Sequence, residues 1–183
     1  MSQLPHEFEE TQALSLKLEK YTDIFSSFDI RPYTKRALSI DFLDEIKRAI
    51  SDKKDEEGIE IILNMPERER NESHETTIKE RLAAHFKRHH ALVLQEKYRI
   101  LKLGISMVVL GIMSMIAATF IIFEDPADNL MLSFLIVFLE PAAWFLLWEG
   151  MDLIIFNSKK LNPDLSFYKK MSYSHTHVHF KSY

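Results

Sequence analysis

Two long apolar stretches dominate the hydropathy pattern in the second half of the chain. The first, LGISMVVLGIMSMIAATFIIF, occupies residues 103–123 and contains no charged residue. As a helix it would be about 31 Å long, which matches the hydrocarbon thickness of a bilayer. The second occupies residues 130–156 and is interrupted by Glu140 and Pro141 before a more polar end. The pattern predicts two transmembrane helices, and both are too long and too far from Met1 to be a signal peptide.

The segment between the two stretches, residues 124–129 (EDPADN), predicts a short external turn that makes the helices an antiparallel hairpin. Lysine and arginine flank only the other ends of the hairpin, at Lys97, Arg99, Lys102, Lys159 and Lys160. By the positive-inside rule, both termini are expected in the cytoplasm, with the chain in a bacterial inner membrane. The alternative is a soluble protein in which the two stretches are buried core helices.

Residues 1–73 are expected to form a cytoplasmic part that mixes helices and a strand. Apolar residues at helical spacing predict an amphipathic helix over 12–26; they are Leu14, Leu18, Tyr21 and Phe25. Ser39 is a suitable N-cap for a helix over 40–51, whose apolar face would be Ile40, Leu43, Ile46 and Ile50. Ile59–Leu63 is a short apolar run typical of a buried strand.

Residues 74–102 predict a basic juxtamembrane helix, because no proline or glycine interrupts them and an apolar stripe runs along them. The stripe consists of Ile78, Leu82, Phe86, His89, Val93 and Ile100. The C-terminal segment 157–183 ends in residues that alternate in character over 172–182, which predicts a strand that could pair with Ile59–Leu63. The expected fold is therefore a membrane α-helical hairpin with a small cytoplasmic α+β domain formed by both termini.

Three features resemble a group of uncharacterised small bacterial membrane proteins with two spans. They are the basic helix that runs into the first span (YRILKLGISMVVLG), the pattern Trp144-x3-Trp148-x3-Asp152, and the terminal strand. The likeness covers roughly residues 24–180 and implies an architecture without a known activity. The chain departs from the group at Glu149 and Gly150, where the group's pattern has a base and a proline.

Charge and composition narrow the classes of function. Residues 103–158 contain six acids and no lysine or arginine, whereas 74–102 carry seven bases against three acids. The chain has no cysteine, which excludes disulfides, thiol catalysis and cysteine-bound zinc. It has four glycines, no phosphate-binding loop, no nucleophile elbow and no HExxH motif, so an enzyme is not expected. Nucleic-acid motifs are also absent, and the N-terminal part is acidic, so nucleic acid is not an expected partner.

Glu140 is the most distinctive candidate for an ion or proton site. A carboxylate near mid-membrane costs several kcal/mol unless it is neutral, paired or hydrated. Pro141 follows it and cannot donate to the carbonyl of Val137, which leaves a backbone acceptor beside the acid. The alternative role is a protonated carboxyl that hydrogen-bonds a neighbouring helix.

Small residues recur every seven positions in the first span and predict a helix-packing face. The face comprises Gly104, Gly111, Ser114 and Ala118. Either the second span or a second subunit could pack there, and oligomerisation is the favoured interpretation. Trp144, Trp148, Glu149 and Asp152 are expected to be interface anchors, with the two acids as possible salt-bridge partners of Lys102, Arg99 or Lys159.

The histidines and the basic residues supply the remaining candidate sites. Alternation places His175, His177 and His179 on one side of the terminal strand, where they could bind a transition metal. His85 and His89 have the i, i+4 spacing of a zinc pair, although packing is the favoured role. Binding of anionic lipid headgroups is expected at Lys87, Arg88, Lys97, Arg99 and Lys102.

These observations favour a homo-oligomeric or complex-associated membrane subunit with a structural or protein-interaction role. Its expected partners are membrane lipids, further copies of itself and another membrane or cytoplasmic protein. One alternative is a small ion or proton channel or transporter subunit that uses Glu140. The other is a metal-responsive membrane sensor that uses the C-terminal histidines. No cofactor is expected apart from that possible metal.

Overall fold

A computed structural model describes residues 13–51, 60–123, 129–172 and 177–183. The chain divides into two compact units. The first, which we call the mixed unit, comprises Met1–Ala91 and Asp164–Tyr183; the second, the hairpin unit, comprises Leu92–Pro163. Both ends of the chain therefore contribute to the mixed unit.

The described part of the mixed unit contains a sheet of three parallel strands in the order β1-β2-β3. The strands are β1 (Ala13–Lys17), β2 (Glu60–Met65) and β3 (His177–Ser182). Leu16, Leu63 and Phe180 are in register, so one face of the sheet is apolar across all three strands. The opposite face carries Ser15, Ile62 and His179 at the next register position. The central strand is thus paired on both sides by strands from the two ends of the chain.

Helices account for most of the remaining described residues. They are α1 (Ile40–Ser51), α2 (Glu72–Phe123), α3 (Leu130–Asp152), α4 (Ser158–Lys160) and α5 (Asn162–Ser172). A π-helical turn, Leu153–Asn157, joins α3 to α4, and short 3₁₀ turns lie at Tyr21–Ile24 and Glu67–Glu69. Helix α2 belongs to both units, since the division falls after Ala91.

The core of the mixed unit lies on the apolar face of the sheet. Ile46 of α1, Leu63 of β2 and Ile78 of α2 each have 0% of their surface exposed. Helix α5 adds Phe167, whose ring meets the ring of Phe86 edge to face at 6.0 Å. Burying a leucine or isoleucine side chain stabilises the fold by roughly 1.5–3 kcal/mol. Three helices therefore close one side of the sheet.

The predicted helix over 12–26 is wrong. Residues 13–17 form β1 and Tyr21–Ile24 form a 3₁₀ turn. The same sequence carries a second pattern, because Leu14, Leu16 and Leu18 alternate with exposed polar residues at the period of a strand. Pairing with β2 selects the strand, since it satisfies the backbone groups, buries Leu14 and Leu18 and partly buries Leu16 on the same face.

The other elements are close to their predicted positions. Helix α1 begins at Ile40 as expected, with the carbonyl of Ser39 accepting its first backbone hydrogen bond at 3.1 Å. Its buried face differs, because Phe42 is buried and Ile40 is 75% exposed. The predicted strand at Ile59–Leu63 is β2, with Ile59 outside the described residues, and its pairing with the terminal strand is confirmed.

Candidate functional site

The small residues of α2 form a seam with α3 inside the hairpin unit. A Cβ atom added to Gly104 would lie 2.9 Å from the carbonyl oxygen of Gly150. Seven residues later on α2, a Cβ on Gly111 would lie 3.0 Å from the carbonyl oxygen of Ala143, which is seven residues earlier on α3. The two helices are therefore antiparallel, and their backbones touch at small residues in each heptad.

This seam shows what covers the predicted packing face. Gly104, Gly111 and Ala118 are buried, at intervals of seven residues, and the contacts of the two glycines come from α3 of the same chain. Ser114 is half-buried and donates its hydroxyl to the carbonyl of Leu110 at 2.9 Å. Helix α3 of the same chain, rather than a second subunit, therefore occupies this face at the two glycines.

Close contact with α2 explains why position 150 is a glycine. Its added Cβ would lie 2.7 Å from the carbonyl oxygen of Gly104 and 2.8 Å from Cγ2 of Val108. No proline ring could occupy this position without separating the helices.

Outside the seam, the hairpin unit has an apolar surface. Within the most apolar stretches of its two helices, only 11% and 6% of residues are buried. Large side chains on this surface include Phe120, which is 70% exposed, and Val137, which is 72% exposed. Core helices of a soluble protein would bury such residues within the chain. Both helices are long and apolar enough to cross a membrane.

Glu140 lies on the outer surface of α3 and not in the seam. It is exposed, and within the described residues its carboxylate has no hydrogen-bond or ion-pair partner. Exposed apolar residues flank it on the same side of the helix, namely Val137 and Trp144. Helix α3 continues through Pro141 without a break. A single acid therefore interrupts an otherwise apolar outer face.

The end of α3 near the basic flanks carries a small polar network. Asn157 donates its amide to the carboxylate of Asp152 at 3.0 Å and accepts from Lys160 at 2.8 Å. The π-helical turn brings Asn157 back onto Asp152. The predicted ion pairs of Asp152 and Glu149 with Lys102, Arg99 or Lys159 do not occur among the described residues.

The predicted anchors and headgroup ligands are largely on the surface. Trp144 is 65% exposed and Trp148 is 78% exposed, as an aromatic belt requires. Four of the five predicted headgroup residues are exposed: Lys87, Arg88, Arg99 and Lys102. The fifth, Lys97, is half-buried and donates to the side-chain oxygen of Asn162 at 2.7 Å. Lys87 and Arg88 belong to the mixed unit, whereas the other three belong to the hairpin unit.

Two of the three terminal histidines lie together on the polar face of the sheet. His177 and His179 are exposed, with ring centroids 6.0 Å apart, while His175 lies outside the described residues. In the part of the chain that the structure describes, no group of three or more metal-ligating residues occurs. The described geometry thus brings two of the expected nitrogen ligands to one surface.

The rings of His85 and His89 form a close, tilted pair, and His89 stacks on Tyr168 of α5. Their ring centroids are 4.2 Å apart, and the ring of Tyr168 lies against His89 at 5.3 Å. Nε2 of His85 is buried and has no hydrogen-bond partner among the described residues. Burial lowers the pKa of His85 to about 4, with further lowering from His89, Arg81 and Arg88. Burial also lowers the pKa of His89, so the pair is neutral at neutral pH.

A buried ion pair, which the sequence analysis missed, holds the start of α2. Nε and Nη2 of Arg70 donate to the two carboxylate oxygens of Glu75 at 2.8 and 3.0 Å. The hydroxyl of Tyr21 also donates to Glu75 at 3.1 Å and accepts from the backbone N–H of Asn71 at 2.7 Å. Hydrogen bonds from Arg70 are the main reason that the pKa of Glu75 is lowered. Nη1 of Arg70 reaches Ser182 on β3 at 3.0 Å, so the cluster links both ends of the chain.

No protein-family model, curated protein or solved structure matches this chain.

Proposed function

We propose that the chain is an integral membrane subunit whose hairpin unit spans the bilayer twice and whose mixed unit acts in the cytoplasm as an interaction domain. The apolar outer surface of α2 and α3 carries this proposal. No described part of the chain covers apolar side chains such as Phe120 and Val137. Apolar surface of this kind is stable when lipid surrounds it.

The basic flanks support the proposed orientation. Lys97, Arg99 and Lys102 precede the first apolar stretch, Lys159 and Lys160 follow the second, and no base lies between them. Under the positive-inside rule this distribution favours a cytoplasmic location for both ends of the chain. The exposed Trp144 and Trp148 suit the interfacial region near those flanks.

Association with further subunits is supported by Glu140. A carboxylate on the outer face of a membrane helix is costly in lipid unless another chain or water meets it. Because Gly104 and Gly111 already pack on α3, association would use the outer surface of the helices, and Glu140 marks one such face on α3. We propose that this face contacts a second copy or another membrane protein.

The absence of cysteine permits a direct test of topology. Single cysteines would replace Lys35 in the mixed unit, Lys181 on β3, Asp128 in the link and Phe134 on the outer face of α3. Each variant would be treated with a membrane-impermeant maleimide in sealed inverted vesicles and in right-side-out vesicles. We expect Lys35→Cys and Lys181→Cys to react only in inverted vesicles and Asp128→Cys only in right-side-out vesicles.

The variant Phe134→Cys is the internal control, since it should react only after detergent is added. Reaction of the Lys35 and Lys181 variants on opposite faces would contradict the hairpin. Recovery of the protein in the supernatant after an alkaline carbonate wash would contradict membrane insertion itself.

A second candidate function, conduction of protons or cations, is favoured by the unpartnered position of Glu140. A chain with two membrane helices can line a water-filled pore only as a ring of several copies. The outer face of α3 would then face the centre of that ring. Proton flux into liposomes would be compared for the wild type, Glu140→Gln and Glu140→Asp, with Val137→Leu as a matched control. Conduction through this acid predicts loss of flux in the glutamine variant and partial retention in the aspartate variant; equal flux in all four, or none, would discard it.

A further inference from the structure

A groove lies beside β3 in the mixed unit. β3 is an outer strand of the sheet, and among the described residues no strand pairs with its far edge. A cavity of about 620 Å³ is lined by α2, α5 and β3. Ala83 and Ala84 of α2 line it with side chains too small to fill it. The rest of its apolar lining is Leu82, Phe86, Met171 and Val178.

The cavity lies at the edge of β3 and not on one face of the sheet. His177, Val178 and His179 all line it, although successive side chains of a strand point to opposite faces. Alternate residues of an outer strand direct their N–H and C=O groups away from the sheet. An acyl chain would cover the apolar lining but leave these groups without hydrogen bonds, whereas an extended peptide would pair with them.

Positive charge surrounds the groove. Lys79 and Lys87 line it from α2, and Nζ of Lys79 lies 5.8 Å from the centroid of the Phe180 ring on β3. Lys181 is exposed on the same strand. Within the described residues, Lys87 and Lys181 have no ion-pair partner, and Glu80 is the one acid of the lining. Carboxylates are therefore the charged groups that this surface favours.

A second copy of β3 fits this edge poorly. The side chains of His177, His179 and Lys181 share the face of the sheet opposite the core, because they alternate with the buried Phe180. An antiparallel pair of two such strands would place the lysines of both copies on one face. Like charges on neighbouring strands are destabilising, so a partner of opposite charge is favoured.

We propose that the groove binds an extended segment of a partner protein in which apolar and acidic residues alternate, added to β3 as a fourth strand. Its apolar side chains would lie against Leu82, Phe86 and Val178, and its carboxylates would lie on the open face near Lys181. The binding rests on the interaction role proposed above for the mixed unit, but not on the orientation of the hairpin in the membrane.

A model peptide tests the chemistry of the partner. The probe is a fluorescein-labelled peptide of about eight alternating valine and glutamate residues, enough to cover the six residues of β3. Fluorescence anisotropy would follow its binding to the full-length protein in lipid nanodiscs. We expect saturable binding that becomes at least about tenfold weaker when lysine replaces glutamate, since like charges then meet at Lys181. Equal affinity of the two peptides, or no binding of the acidic one, would overturn the proposal.

Methylation of the peptide backbone distinguishes strand addition from apolar binding. The amides of the valines and of the glutamates point to opposite edges of an extended peptide, and only one edge would meet β3. Methylation of one set should weaken binding at least about tenfold, while methylation of the other set should have little effect. Equal effects of the two sets would contradict an added strand. Displacement of the peptide by oleate, with both methylated forms still bound, would identify an acyl-chain site instead.

A variant in the groove locates the binding on the protein. Ala83→Trp places a large side chain in the groove and should weaken binding of the acidic peptide at least about tenfold. Ala91→Trp is the matched control, because Ala91 is an exposed alanine of α2 that does not line the groove. Equal affinity in the two variants would exclude the site. Disulfide-linked dimers of His179→Cys, formed without any peptide binding, would assign the edge to a second copy and also overturn the proposal.

Failure of this site and failure of the membrane role give different results. Absence of peptide binding would leave the maleimide labelling of the hairpin unchanged. A protein released by the carbonate wash would be titrated in buffer without nanodiscs, where the acidic peptide should still bind and the lysine peptide should not.

Discussion

The backbones of Gly104 and Gly150 are in direct contact, because a Cβ atom on Gly150 would lie 2.7 Å from the carbonyl oxygen of Gly104. Helices approach this closely only where both carry small residues, and the approach lets side chains on either side interlock. Gly150 is therefore expected to be among the least replaceable residues of the hairpin unit.

Replacement of Gly150 by leucine should destabilise the hairpin unit by about 1–3 kcal/mol or more, since the helices must separate to admit the side chain. Thermal unfolding in detergent, followed by the fluorescence of Trp144 and Trp148 on the same helix, would measure the effect. Met151→Leu changes the next residue, which is 50% exposed, and should leave the midpoint unchanged. Equal midpoints for the two variants would be inconsistent with the seam.

The Arg70–Glu75 pair should stabilise the mixed unit. Glu75 is 6% exposed, and Glu75→Gln would leave Arg70 without its charged partner. We expect a loss of about 2 kcal/mol, since hydrogen bonds to charged groups contribute roughly 1.5–3 kcal/mol. Pulse proteolysis across a urea series would report the free energy of unfolding of this unit.

The neighbouring pair Arg68–Glu69 provides the control for that measurement. Its charged atoms are 3.8 Å apart, and the Arg68 side chain is 85% exposed. Glu69→Gln should therefore cause no measurable loss. A loss as large as that of Glu75→Gln would mean that the charge change alone, and not the buried geometry, causes the effect.

Replacement of Phe180 by alanine should destabilise the mixed unit, because it weakens the packing of the C-terminal strand β3. Phe180 is 8% exposed and lies in register with Leu63 of the central strand. A buried Phe→Ala change costs about 3–5 kcal/mol. Hydrogen exchange of the β2 amides should accelerate in Phe180→Ala and stay unchanged in Lys181→Ala, whose side chain lies on the exposed face. Unchanged exchange in both variants would argue against a sheet closed by β3.

The stability of the mixed unit should fall as the pH drops from 6.5 towards 4. The pKa of His85 is lowered from 6.5 to about 4 in the folded state, so the unfolded chain takes up a proton first as the pH falls. The charged and titratable groups around the pair are Arg81 and Arg88 on α2 and Tyr168 on α5. The stabilisation is fully present above the unfolded pKa and is lost as the pH approaches the folded pKa.

Substitution of His85 by leucine should reduce this pH dependence, and the double variant with His89→Leu should reduce it further. Urea unfolding at several pH values between 4.5 and 7 would give the slopes. Below pH 4.5 the lowered pKa of Glu75 adds a second loss, because that carboxylate is held ionised by Arg70 in the folded state. An unchanged slope in both variants would show that the histidine pair is protonated freely in the folded protein.

The spacing of apolar residues was sufficient to predict an element where only one pattern, helix or strand, fitted the segment. The start of α1, the strand β2 and the apolar helices follow from apolar spacing and a cap residue, and the terminal strand follows from its strict alternation. Residues 13–25 fitted two periods, because Leu14 and Leu18 are spaced equally well for a helix and for a strand that also includes Leu16. Only the pairing with β2, which is remote in the sequence, decides between them.

The features missed at the candidate sites depend on contacts between distant segments. Arg70 and Glu75 are close in sequence, but their burial depends on Tyr21 and Ser182, which no local pattern brings together. The small-residue spacing singled out Gly104 and Gly111, whereas their contact with α3 depends on the register with Gly150 and Ala143. The exposed apolar residues and Glu140 were evident from composition alone, because burial within the hairpin unit is slight.

The order of the strands imposes an order on biosynthesis. The central strand β2 is made before either apolar helix, yet β3, its second partner, leaves the ribosome only after both helices are complete. Until then one edge of β2 remains unpaired, and the mixed unit lacks Phe167, Met171 and Phe180. Nascent chains arrested within the hairpin should therefore stay sensitive to protease in the mixed unit, so that only full-length copies leave the ribosome with a closed domain.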